Sequence, residues 1–143
     1  MSYRVKRIDP YWIKNPVLPA VAVAGLLGAL ALVSREMVAP AIGSALVGGA
    51  AVILATSPAV SAVLGTLGLI GGLMTFVFVP NPQNATMALP MRLLSTLLFM
   101  LFYTVLMDGV VLLVAVLYNL FAGGIGLGGL TFDFEDEAGA GEA

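Results

Sequence analysis

Charged residues are almost absent from the long middle part of this chain. Within residues 17–130 the only charged residues are Arg35, Glu36, Arg92 and Asp108. Across the whole sequence 60% of the residues are hydrophobic and 10% are charged, whereas a soluble domain carries about 25% charged residues because its surface must stay hydrated. The sequence therefore predicts surfaces that face lipid, and an integral membrane protein.

Four apolar segments, separated by short breaks, predict an all-α membrane protein with four transmembrane helices. The segments cover residues 16–34, 37–56, 58–79 and 93–121. The first contains 19 residues, or about 28 Å of helix, which is enough to cross the ~30 Å hydrocarbon core. Ser57 as an N-cap and Pro58 at the first helical position predict a tight turn between the second and third helices, which would then be antiparallel neighbours.

The last apolar segment is longer than a membrane is thick. Its 29 residues would form about 43 Å of helix, so a single helix must tilt, bend or project into water. Division at Asp108 and Gly109 would leave a first half of 15 residues, about 22 Å, which is too short to cross. We therefore expect one long fourth helix, with two short helices as the alternative, and a wet loop over residues 80–90.

The charge distribution predicts three regions and a topology. Residues 1–15 form a basic amphipathic arm, residues 16–122 the transmembrane domain, and residues 123–143 a glycine-rich and then acidic flexible tail. Four basic residues lie in the arm: Arg4, Lys6, Arg7 and Lys14. Because basic flanks stay inside, the arm outweighs Arg35 and Arg92 and predicts both termini inside. The arm is a topology anchor or, alternatively, a weak contact for anionic lipid or nucleic acid.

Small residues recur at four-residue spacing in the first three segments. In lipid no hydrophobic effect draws helices together, so small faces allow the close approach of backbones. The helix-packing residues that we predict are Gly28, Gly43, Gly48, Gly49, Gly68 and Gly72. These faces pack helices within one chain, or associate several copies into a dense array, and the sequence is compatible with both.

Asp108 lies near the middle of the long last segment, where a carboxylate is costly unless it is paired or hydrated. Thr104, Ala115 and Asn119 fall within about 60° of it on a helix. This polar stripe handles a proton or an ion, or it fixes helix register through a hydrogen-bonded carboxyl group, or it lies near a water interface. The lack of a cationic partner in another segment favours a structural role.

The residue types present exclude several kinds of chemistry. The chain has no Cys and no His, so disulfides, the usual zinc ligand sets and Cys–His or Ser–His nucleophile systems are impossible. We expect no enzymatic activity, no cofactor and no metal site. Asn84, Ala85 and Thr86 form a glycosylation sequon, which is compatible with an exposed loop and does not by itself establish a glycan.

The solvent-facing parts are acidic and poor in lysine. The sequence ends in DFEDEAGAGEA and contains only two lysines, Lys6 and Lys14. Carboxylates retain water, and their mutual repulsion is screened in concentrated salt, so this composition suits a halophile. An ordinary acidic tail is the alternative.

A small acidic chain with four spans, a basic N-terminal arm and short loops resembles the small internal membrane proteins of haloarchaeal pleomorphic viruses. The resemblance covers the layout of the chain and includes no diagnostic motif. It implies a structural protein of the virion envelope, with its polar parts toward the interior and a separate spike protein above it. The expected function is therefore a non-enzymatic membrane scaffold whose partners are lipid, further copies or another membrane protein. The alternatives are a channel or transporter subunit that uses Asp108, and an accessory subunit of a larger membrane complex.

Overall fold

The structure is a computed structural model, and it describes residues 2–5, 7–126 and 131–133. The elements in chain order are β1 (Ser2–Arg4), α1 (Val17–Val33), α2 (Val38–Ala55), α3 (Pro58–Leu73), α4 (Pro82–Ala85), α5 (Leu89–Asn119) and β2 (Thr131–Asp133). One π-helical segment, Met74–Phe78, extends α3 and another, Leu120–Gly124, extends α5. The chain divides into two compact units, Pro10–Leu112 and the combination of Met1–Asp9 with Leu113–Ala143.

Among the described residues, three helices are long and apolar enough to cross a membrane, namely Val38–Ala55, Pro58–Phe78 and Leu89–Gly124. The apolar helix α1 has 17 residues, about 26 Å, which lies at the lower end of the spanning range. The predicted fold class, an all-α membrane protein with a long final helix, is confirmed.

The final helix is a single continuous element. It starts at Leu89, four residues before the predicted start, because Pro90 occupies its first turn, where a missing N–H is tolerated. Asp108 and Gly109 lie inside it, so the alternative of two short helices is wrong. With its π-helical end it has 36 residues, about 54 Å, and therefore exceeds the hydrocarbon core by more than the sequence suggested.

The predicted loop over residues 80–90 contains the one-turn helix α4. Asn81 caps it, because its Oδ1 accepts the backbone N–H of Asn84 at 2.8 Å. The Asn84 side chain is buried, with 9% of its surface exposed. The sequon asparagine is therefore packed into the turn, although the other residues of the loop from Asn81 to Pro90 are exposed.

The turn between α1 and α2 is a Schellman motif. Its Glu36 N–H donates to Val33 O at 2.9 Å, and its Met37 N–H donates to Leu32 O at 3.0 Å. Glu36 occupies the left-handed position of this motif, with φ 61°. Glycine normally takes this position because a side chain there is strained, so the short turn is made at a conformational cost.

The turn between α2 and α3 pairs with the end of the N-terminal arm. The Ser57 N–H donates to Pro10 O at 2.7 Å, and the Trp12 N–H donates to Ala55 O at 2.9 Å. Ser57 occupies the predicted N-cap position, but its side chain makes no capping hydrogen bond. Its backbone N–H is satisfied by the arm instead, so this part of the arm is built into the fold.

The apolar core lies where α1, α2 and α5 meet. Ala22, Ala51 and Val52 are buried at its centre. Larger, partly buried side chains pack around them: Leu18, Val21, Val105 and Leu112. Because the central residues are mostly alanine, the helices approach closely rather than being held apart by large side chains.

The two ends of the chain form a short antiparallel pair. In the pairing of β1 with β2, Ser2 lies opposite Asp133, Tyr3 opposite Phe132, and Arg4 opposite Thr131. The prediction of a flexible tail is therefore corrected for Thr131–Asp133, which forms a strand. The rest of the predicted acidic tail and the glycines of residues 127–130 lie outside the described residues.

Candidate functional site

Glycines bring α1 and α2 into backbone contact. A Cβ atom placed on Gly25 would lie 2.6 Å from Gly48 Cα, and one placed on Gly48 would lie 2.8 Å from Leu26 N. The Ser44 hydroxyl crosses the same contact and donates to Gly25 O at 2.8 Å. A Cβ atom on Gly28 would meet the Ser44 Oγ at 2.8 Å. Larger side chains at the glycines would therefore force the two backbones apart.

A second line of small residues on α3 lies against α5. As α3 advances, its contacts move backward along α5, so the two helices are antiparallel. The contacts pair Ser61 with Asp108, Gly65 with Thr104, Gly68 with Met100 and Tyr103, and Gly72 with Thr96. A Cβ atom would lie 3.2 Å from Met100 O at Gly68 and 3.1 Å from Thr96 O at Gly72, so this contact also involves backbone.

Most of the predicted packing glycines lie at these contacts. Gly28 and Gly48 face the α1–α2 contact, Gly68 and Gly72 face α5, and an added Cβ at Gly49 would lie 3.4 Å from Val105. Gly43 makes no such contact within the chain, because an added Cβ there meets nothing within 4 Å and the residue is exposed, so its predicted packing role is left to contacts between copies.

Sequence reasoning missed Gly25, although its spacing of three residues from Gly28 indicates that the two share a helix face. Gly65 belongs to the series of Ser61, Gly65, Gly68 and Gly72, whose spacings of three and four residues place them on one face of α3.

Asp108 is the buried polar group at the end of the α3–α5 contact. None of its surface is exposed, and the Ser61 hydroxyl donates to its Oδ2 at 2.6 Å. Its Oδ1 is buried and has no hydrogen-bond partner among the described residues. The sequence pointed to an isolated Asp108, and the structure supplies Ser61 as a partner for one of its two oxygens.

Thr104 and Asn119 do not extend this polar site. The Thr104 hydroxyl donates to Met100 O at 2.7 Å, one turn back on its own helix. Asn119 uses both ends of its amide on the arm: its Oδ1 accepts Ile8 N–H at 2.8 Å and its Nδ2 donates to Ile8 O at 2.8 Å. Thr104, Asp108 and Ala115 of the predicted stripe are buried, whereas Asn119 binds the arm backbone and not Asp108.

The basic residues of the arm fall into different settings. Arg4 belongs to β1, Arg7 and Lys14 are exposed, and Lys6 lies outside the described residues. Nearby the Tyr118 hydroxyl donates to Val5 O at 2.7 Å. The arm thus has specific backbone contacts, and no anion site is defined by its described basic residues.

The described residues contain no group of three or more His, Cys, Asp or Glu side chains that could hold a metal ion. An open groove of about 310 Å³ lies along α3, lined by Ala62, Val63, Thr66 and Leu67. The only polar side chain in its lining is Thr66, whose hydroxyl donates to Ala62 O at 2.8 Å. The groove therefore offers no charged group and no free hydroxyl hydrogen for chemistry.

The contacts between small residues and the buried carboxyl group are the two features from which a function can be inferred. Comparison with protein-family models, curated proteins and solved structures finds no match. The helix contacts determine how closely the helices pack. The Ser61–Asp108 pair places a polar site inside the helical bundle.

Proposed function

We propose that this protein is a non-enzymatic structural component of a membrane, which packs densely in the bilayer, and that its setting is the envelope of a haloarchaeal pleomorphic virus. The observation that carries the proposal is the backbone contact at Gly25 and Gly48, together with the matching series of small residues between α3 and α5. Such contacts reduce the membrane area that each helix pair occupies, which is the property that a scaffold of short-looped subunits requires.

The hydrogen bonds that the polar side chains make within the spans favour a scaffold over a channel or transporter. A path for a solute that accepts hydrogen bonds needs hydroxyl or amide hydrogens that are free along its length. The span hydroxyls instead donate to backbone carbonyls, as in Ser44, Thr66, Thr75, Thr96 and Thr104. Asp108 and Ser61 form one polar site between α3 and α5, and a single site is not a continuous path across the membrane.

Both termini lie on the inner side of the membrane. The pairing of β1 with β2 supports a common side for the two ends, and the basic arm supports the inner side. The chain has no cysteine, so Ser2→Cys, Gln83→Cys and Ala143→Cys can each be labelled with an impermeant thiol reagent in right-side-out vesicles. Gln83 is chosen because it is exposed in the loop. Only Gln83→Cys should react, and labelling of Ala143→Cys without Ser2→Cys would contradict the topology.

Copies of the chain associate through the exposed small face of α2 at Gly43, where an added Cβ would meet no atom of the chain. In native membranes, oxidation should link Gly43→Cys chains into dimers. Leu27→Cys on α1 is the control. Leu27 is also accessible, with 60% of its surface exposed, but it carries a large side chain in the parent and is not one of the small residues proposed to bring copies together. Equal cross-linking of the two variants would mean that α2 meets only lipid.

The viral setting has its own test. Purified virions or membrane vesicles should be compared with whole cells by quantitative protein identification. Enrichment of the chain in virions, in amounts similar to the major envelope proteins, is expected. Its presence in host membranes without virions would refute the viral setting while leaving the scaffold proposal intact.

A further inference from the structure

The carboxyl group of Asp108 is incompletely satisfied inside the bundle. Oδ2 accepts the Ser61 hydroxyl at 2.6 Å, whereas the buried Oδ1 has no hydrogen-bond partner among the described residues. Val105 and Leu112, about one turn away on either side of Asp108, pack against the apolar core. An unpaired charge in such a place costs several kcal/mol, so the carboxyl group needs a further partner that brings positive charge.

Among the described residues, Ser61 is the side chain that bonds to the Asp108 carboxyl group, and no basic side chain does so. In the part of the chain that the structure describes, α1, α2 and α3 contain no Asp, Glu, Lys, Arg or Tyr. Apart from Asp108, the ionisable residues of α5 are Arg92, Tyr103 and Tyr118. Arg92 is about 24 Å away along the helix, and its guanidinium donates to Met87 O at 3.0 Å and to Ala85 O at 2.5 Å.

We infer that Asp108 and Ser61 form a binding site for one small monovalent cation, either a proton or a sodium ion. The ligand must be small because Asp108 has no exposed surface. It must be monovalent because the single carboxylate balances a single positive charge. Ser61 donates its hydrogen to Oδ2, which leaves its oxygen lone pairs available to a metal ion. The site goes beyond the scaffold role and does not depend on it.

Infrared spectroscopy of the full chain in liposomes tests the site, because a protonated carboxyl group and a carboxylate absorb in different regions. Spectra are recorded in choline chloride and in sodium chloride over a range of pH, for the parent and for Asp108→Asn. The difference between parent and variant isolates the Asp108 signal. Ser61→Ala retains the carboxyl group, and loss of its hydrogen bond should shift the band to a different frequency.

The outcomes separate the two ligands. A protonated-acid band at neutral pH that is present in both salts, absent in Asp108→Asn and shifted in Ser61→Ala assigns a proton. A carboxylate band that shifts on replacement of choline by sodium, with a rise in melting temperature that Asp108→Asn lacks, assigns sodium. A carboxylate band that responds to neither pH nor sodium overturns the proposal.

A second chain keeps the test decisive if Asp108→Asn fails to fold. The aspartates outside the spans are Asp9, Asp133 and Asp136. Their replacement by asparagine leaves Asp108 as the sole aspartate, and carbon-13 labelling of aspartate then identifies its band directly. The same three outcomes apply to this chain, and none of them depends on the scaffold proposal.

Discussion

Substitution of alanine for Gly25 tests how closely α1 and α2 approach. The new Cβ atom would lie 2.6 Å from Gly48 Cα, whereas carbon atoms in contact are about 3.5 Å apart. The helices must therefore separate locally by about 0.9 Å. Gly43→Ala is the matched control when the micelles hold single chains, because the same atom added there meets nothing within 4 Å in the chain itself.

The cost of this separation has two parts. The hydrogen bond from Ser44 to Gly25 O, now 2.8 Å, would lengthen beyond hydrogen-bonding distance and lose about 0.6–1.7 kcal/mol. A gap of this size also removes a quarter to a half of each dispersion contact, or about 0.5–2 kcal/mol over some twenty atom pairs. The higher helix propensity of alanine, about 1 kcal/mol, favours both variants equally. Gly25→Ala should therefore be less stable than Gly43→Ala by about 1–4 kcal/mol.

Reversible unfolding in mixed micelles with increasing amounts of denaturing detergent measures this difference. Trp12, the single tryptophan, reports unfolding by fluorescence, because its backbone is hydrogen-bonded to the end of α2. Equal unfolding midpoints for the two variants would refute the close approach of α1 and α2. A higher midpoint for Gly43→Ala than for the parent would measure the propensity gain by itself.

Three further changes give expected outcomes in the same unfolding assay or in hydrogen exchange. Glu36→Gly should stabilise the fold by about 1 kcal/mol by relieving the left-handed backbone at φ 61°, and an unchanged midpoint would contradict that strain. Gly68→Leu should lower the midpoint because an added Cβ already lies 3.2 Å from a carbonyl oxygen of α5, whereas Val77→Leu should leave it nearly unchanged. Asn119→Leu should speed hydrogen exchange at the Ile8 amide roughly fivefold through loss of about 1 kcal/mol, and an unchanged rate would mean that this pair is not formed.

The sequence predicted the membrane helices well because their length and apolarity are local properties. The starts of α2 and α3 lie within one residue of the prediction. The predicted start of α5 is four residues too late, because Pro90 was interpreted as part of a loop. Proline is also common in the first turn of a helix.

The contacts between elements were less predictable from the sequence. The spacing of Gly68 and Gly72 identifies a small face, but Gly43 has the same spacing and packs on nothing within the chain. The partner of Asp108 was hidden because Ser61 lies 47 residues away, and a single serine has no periodicity. The role of Asn119 was hidden for the same reason, since its partner is the backbone of Ile8, which any residue type except proline could provide.

The pairing of the arm with Asn119 can form only after most of the chain has been synthesised. Ile8 and Asn119 are 111 residues apart, which at about 5–20 residues per second is roughly 6–22 s of synthesis. During that time Ile8 has left the ribosome while the amide that will bind it has not yet been made. A chain that ends before Asn119 therefore lacks this contact with the arm, and we expect proteases to cleave the arm near Ile8 faster in such a chain than in the full chain. The last turns of α5 would in this way protect the first residues of the protein.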